Sequence, residues 1–223
     1  MKNILYKFRF EAFFVTLIIL LFGSLVIPNP FFDNILSPIL VLVNMLMGVV
    51  MIFSKGKMNG WKTIGLLLVS ALTFLATIYN PNHSHPTQMV RLALSFFFYF
   101  YVTISLIQQV LKAKVVNRNV ILGLVTGYIC LGLVGFFIFL SIETVHPNSF
   151  NGLQYANDTP YQLMDTLIYY SYITLLTIGF GDITPVTAVA QKATIFVGLI
   201  GQVYMVIVTA IVIEKYIRHS KKD

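Results

Sequence analysis

Two glycines two positions apart, Gly179 and Gly181, lie in the segment Thr-Ile-Gly-Phe-Gly-Asp at residues 177–182. Glycine accepts the positive φ that other residues resist. Alternating such positions with ordinary ones can turn successive carbonyls the same way. Thr177, Ile178, Gly179 and Phe180 would then present a column of oxygens, with the Thr177 hydroxyl as a further ligand. These are oxygen dipoles without formal charge, suited to replacing the water shell of a monovalent cation. The bland alternative is an ordinary Gly-Phe-Gly turn, and the flanking sequence decides against it.

Before the glycines comes a short apolar stretch, residues 160–176, whose sequence reads as a helix start. Thr159 can cap, Pro160 suits the first helical position and Gln162 completes a capping box. The stretch is too short and too polar at its flanks to cross a bilayer, so it reads as a re-entrant helix. Such an element is tolerated at membrane depth only where protein or water covers its end. Directly after the glycines comes a long apolar segment. Six stretches approach or reach the roughly 20 residues that a spanning helix needs: 12–27, 38–53, 63–79, 90–111, 120–142 and 193–217. The expected architecture is an all-α membrane protein of six transmembrane helices plus one re-entrant pore helix and its loop. A four-helix bundle is expected over residues 1–117 and a pore domain over 118–223.

Composition supports this class. The chain has 223 residues, 57% of them apolar and only 10% charged, with mean hydropathy +0.83. Soluble domains carry about a quarter charged residues, so a soluble enzyme or nucleic-acid-binding domain is excluded. The net charge of +7 is topological. All basic residues except Arg91 and Lys192 fall into four groups: Lys2 to Arg9, Lys55 to Lys62, Lys112 to Arg118, and Lys215 to Lys222. The positive-inside rule makes their side cytoplasmic and puts both termini there. The opposite side receives Asp33, Glu143, Asp158, Asp165 and Asp182. The first span, with its basic flank, could pass for a signal peptide. It lacks a small-residue cleavage site and is expected to be a retained anchor. The loops leave no room for a soluble ligand domain. The single Cys130 excludes an intrachain disulfide framework.

With these residues in view, the segment 177–182 resembles the selectivity-filter signature of the tetrameric potassium channels, Thr-Val-Gly-Tyr/Phe-Gly-Asp. The resemblance extends through Pro185, back to Ser171 and Thr174, and forward to Gly201, where that family carries an inner-helix hinge. It covers residues 120–217. It implies a passive homotetrameric channel in a plasma membrane, of the bacterial inner-membrane kind, with potassium bound at Thr177, Ile178, Gly179 and Phe180 and bounded by Gly181. No cofactor is implied beyond the permeant ion. Asp182, Tyr169 and Thr174 are implied as filter support, with Tyr169 the hydrogen-bond partner of Asp182. Filter carbonyls that replace the hydration shell are the known route to such selectivity, and the pore helix would aim the negative end of its dipole inward. Met205 and Thr209, four and eight residues beyond Gly201, are candidates to line the cavity.

The pattern is departed from in several places. Phe180 lacks the hydroxyl of the commoner tyrosine. Tyr169 and Tyr170 stand where many relatives have tryptophans, and Ile173 stands where some have a glutamate. Span four carries only Arg91 at its outer end and nothing more until Lys112, whereas a voltage sensor needs several charges to gain steepness. The first four spans, whose most polar mid-span residue is Asn44, therefore read as a non-sensing scaffold. A non-selective cation channel is the alternative on the same scaffold, and its usual mark is a disrupted filter. A potassium-uptake system would carry four filter segments per chain, and a structural module would not explain the glycines. Two gates remain, the inner-helix crossing beyond Gly201 and the filter.

Other residues weigh less. His83, His85 and His146 are expected in outer loops as solvated histidines, with a proton sensor or metal clip as the alternative. Asn82 and Asn157 begin acceptor triplets on the outer side. Gly123, Gly127, Gly132, Gly135 and Gly198 read as packing faces. Trp61 and Tyr79 suit an interfacial belt, and the basic tail can meet anionic lipid headgroups.

Overall fold

A computed structural model describes residues 8–27, 31–32, 36–52, 65, 67–69, 71–72, 75, 85–113, 118–153 and 160–220. Its helices are α1 (Arg9–Phe22), α2 (Ser37–Ile52), α3 (His85–Lys112), α4 (Arg118–Val145), α5 (Pro160–Leu175) and α6 (Ala188–Ser220). A short 3-10 turn, Gly23–Leu25, follows α1. Two two-residue strands, β1 (Phe150–Asn151) and β2 (Thr184–Pro185), pair antiparallel. Helix dominates because the chain is apolar over long runs, and in a bilayer only internally bonded backbone is stable. Among the described residues, three helical segments are long and apolar enough to span: Leu92–Lys112, Arg118–Val145 and Ala188–Ile213, with Ser37–Ile52 shorter. The expected third span lies largely outside the described residues, as do Thr159, His83, Trp61, Tyr79 and both acceptor asparagines.

Three boundaries differ from expectation. Helix α3 begins at His85, so this histidine starts a helix instead of sitting in a loop. Pro86 follows it in the first turn, where a residue without an N–H costs no hydrogen bond. Helix α6 begins five residues before the expected 193 because Thr187 caps it, accepting the Ala190 amide at 3.3 Å. The chain divides into two compact units, residues 1–112 with 117–126 and residues 113–116 with 127–223, so the first turns of α4 belong to the first unit. The first turns of α4 pack within the first unit: a Cβ at Gly123 would lie 2.8 Å from Val110 and 3.3 Å from Phe10.

The first unit is held by large apolar side chains and one polar knot. Gly48 lets α2 approach both neighbours, since a Cβ there would lie 3.2 Å from Phe98 and 3.3 Å from Phe13. Asn44 is wholly buried. Its Nδ2 donates to Thr16 Oγ1 at 2.9 Å, its Oδ1 accepts from the Tyr99 hydroxyl at 2.9 Å, and Thr16 donates onward to the Phe13 carbonyl. The knot ties α1, α2 and α3 with neutral groups only. Asn44→Leu keeps the volume but removes both bonds. Bonds of this kind between membrane helices are worth about 0.6–2 kcal/mol each. The expected result is a thermal unfolding midpoint several degrees lower for the detergent-solubilised protein, at about 2–4 °C per kcal/mol.

Candidate functional site

The second unit builds its site from α5 outward. Three side chains pin α5 to α4. The Ser171 hydroxyl donates to the Gly132 carbonyl at 2.7 Å, Tyr172 donates to Ile129 O at 2.8 Å, and Tyr128 donates to Leu175 O at 3.1 Å. Small residues make room for them: a Cβ at Gly132 would run into the Tyr172 ring, and one at Gly135 into Ser171 Oγ. On the α6 side, Tyr170 shares a 2.8 Å hydrogen bond with Thr194. Its ring packs against Phe139 at 4.9 Å and Phe150 at 5.3 Å. A helix fastened on two sides fixes the position of the chain leaving its last turn.

That departing chain is the alternating segment. Thr177, Gly179 and Gly181 have φ of 56°, 57° and 82°, while Ile178 and Phe180 between them stay at negative φ. The amide of Thr177 donates to Thr174 O at 3.0 Å. Those of Ile178 and Gly179 donate to Ile173 O at 2.9 and 3.3 Å. Three donors are thus turned back onto α5. Among the described residues, the carbonyls of Thr177, Ile178, Gly179 and Phe180 accept no hydrogen bond. The segment is exposed in the single chain. Backbone acceptors are costly to leave without a partner wherever water is excluded. No group of metal-binding side chains occurs among the described residues, so backbone carbonyls and one hydroxyl are what this segment offers a cation. Thr177 is the surprise, since positive φ is a genuine outlier for a β-branched residue. Such strain persists where surrounding structure over-determines it.

The outer end of the segment is clasped. Tyr169 Oη donates to Asp182 Oδ2 at 2.7 Å, and this bond pushes the Tyr169 hydroxyl above its ordinary pKa, which keeps it a donor. Strands β1 and β2 pair Phe150 with Pro185 and Asn151 with Thr184. The Val186 amide donates to Ser149 O at 2.8 Å. Buried Glu143 caps the turn after α4, accepting the Asn148 and Ser149 amides at 2.7 and 3.0 Å. Gly152 passes so close that a Cβ would strike the Asp182 carbonyl oxygen. Tyr169→Phe removes one brace and leaves the rest. The expected result is current decay several-fold faster than wild type under steady opening. Patch recording measures it, and unchanged decay would show that Asp182 does not depend on this hydroxyl.

The inner end meets α6. Gly201 is buried against α5, where a Cβ would strike the Leu175 carbonyl oxygen, whereas one at Gly198 would lie 3.8 Å from Thr174 O. Gln202 Nε2 donates to Thr177 Oγ1 at 3.0 Å. Met205 and Thr209 are both exposed in the single chain, and Thr209 donates to Met205 O at 2.8 Å. Thr174 contributes its carbonyl and Asp182 its carboxylate, so the structure brings both, with Tyr169, to the alternating segment. Sequence reasoning missed the roles of Glu143, Tyr128 and Gln202. For Gln202 a signal exists, a carboxamide in the middle of an apolar span, which by default marks function. The capping roles of Glu143 and Tyr128 leave no local pattern.

No curated protein matches the chain. Residues 124–218, from α4 through the alternating segment into α6, match a family model described as ion channel. With its spanning helices, the chain is a membrane protein, and this match supports an ion channel of the pore-loop family.

Proposed function

We propose that the chain conducts potassium passively as a homotetramer in a plasma membrane, of the bacterial inner-membrane kind, with both termini cytoplasmic. The observation that carries this reading is the alternation of φ over Thr177–Gly181, with amides bonded backward and four carbonyls left without a hydrogen-bond donor. A dehydrating monovalent cation is the partner that such neutral acceptors suit. One chain supplies one column of oxygens, and a cage around an ion needs several. Helix α6 has much apolar surface to place against lipid and other copies, since only 17% of its spanning window is buried within the chain.

The first unit acts as scaffold. Its central knot of Asn44, Thr16 and Tyr99 is uncharged, and the sequence of α3 offers only Arg91 and Lys112 as basic residues. The channel therefore gates weakly or not at all with voltage.

Reconstitution tests both points. In a potassium/sodium gradient the reversal potential should follow potassium, and a value near zero would hand the site to a non-selective cation channel. A conductance rising tenfold within about 15 mV would require several gating charges and would overturn the scaffold reading.

A further inference from the structure

Thr177 stands at the inner end of the oxygen column in a backbone conformation that its branched side chain disfavours. Its amide is held by Thr174 O at 3.0 Å. Its hydroxyl is held by an element from elsewhere in the chain, because Gln202 Nε2 donates to Thr177 Oγ1 at 3.0 Å. The reach is set by the neighbouring residue. Gly201, lacking a Cβ, lets the Leu175 carbonyl rest on α6, which brings position 202 within a side chain's length of Thr177. Rotation about χ1 of Thr177 would break the bond, so Oγ1 has one place to sit. An accepted N–H also occupies one lone pair of the hydroxyl and leaves the other for a ligand.

We propose that Gln202 is a positioning residue for the innermost cation site, holding the Thr177 hydroxyl oxygen as a fixed ligand. This rests on the potassium-channel reading above. A cation entering from the cytoplasmic side then meets a preorganised oxygen in place of a swivelling one, and preorganised ligands bind better because less ordering remains to be done. Gln202 is neutral, so it sets geometry without adding charge to the ion's path.

The experiment uses the reconstituted full chain and barium applied from the cytoplasmic side. Barium has nearly the radius of potassium and a second charge, so it lingers where potassium passes. Gln202→Met keeps the length and removes the donor. It is expected to weaken internal barium block about tenfold and to reduce the potassium/sodium reversal shift. In a Thr177→Val background the same substitution should change neither, since there is no hydroxyl left to hold. Where a variant does not conduct, the barium-dependent rise in thermal unfolding midpoint of the assembled protein gives the same comparison. If Met prevents assembly, Gln202→Asn, whose amide stops a methylene short, replaces it. Undiminished block in Gln202→Met, or equal weakening in both backgrounds, would overturn the assignment while leaving the channel reading intact. A wild-type reversal potential that ignores potassium would remove both.

Discussion

Gly201→Ala is expected to abolish conduction, while Gly198→Ala leaves it within about twofold of wild type. The two glycines lie one helical turn apart on the same face of α6, and both point at the last turn of the pore helix. At Gly198 a methyl group would make ordinary contact, 3.8 Å from Thr174 O. Alanine there even gains about 1 kcal/mol of helix propensity. At Gly201 the methyl would coincide with the Leu175 carbonyl oxygen. That oxygen is backbone and cannot swing aside. Moving it strains the bond from Tyr128 and shifts the carbonyls of Ile173 and Thr174, which hold the amides of the alternating segment. Ion flux per assembled channel in vesicles, with assembly checked by size-exclusion chromatography, reads the result. A conducting Gly201→Ala variant would show that the pore helix yields at this contact. The result also bears on the hinge expectation. The structure supplies a close-approach reason for glycine at 201, and α6 runs unbroken through it.

Gly179→Ala should also silence the channel, by a different route. Nothing lies within 4 Å of a Cβ built there, so no steric clash within the chain enters. The cost is purely conformational. Holding an L-residue at φ of 57° costs about 1–2 kcal/mol per chain, several times over in an assembly. A backbone that relaxes to negative φ turns its carbonyl away from the column. The protein should therefore still assemble, with its thermal unfolding midpoint at most a few degrees lower, yet pass no ions. Normal current through Gly179→Ala would show that the alternation is dispensable.

Much of the site is legible in the sequence because its chemistry is local. The spacing of Gly179 and Gly181, the short apolar stretch before them and the long one after are written consecutively. The features that escape depend on distance. The positive φ of Thr177 runs against the preference of a β-branched residue and arises from contacts to residues 174 and 202. Strands of two residues are too short for an alternating pattern, so β1 and β2 carry no periodic signal. The division inside α4 arises from side chains of α1 and α3 that pack on Gly123, which periodicity along α4 cannot report. His85 reads as loop because the polar residues around it mask the helix start that it makes. Composition, by contrast, settles the solvent of the protein at once.

The β1–β2 clasp has a consequence for biogenesis. Its two strands are separated by the whole of α5 and the alternating segment, so the clasp cannot close when α4 is first made. At synthesis rates of about 5–20 residues per second, the ribosome needs roughly two to seven seconds to deliver the second strand after the first. During that interval Glu143 can already cap its own turn, because the Asn148 and Ser149 amides lie within six residues of it. The nascent chain thus carries a preformed half of the clasp, waiting for Thr184–Pro185 to emerge.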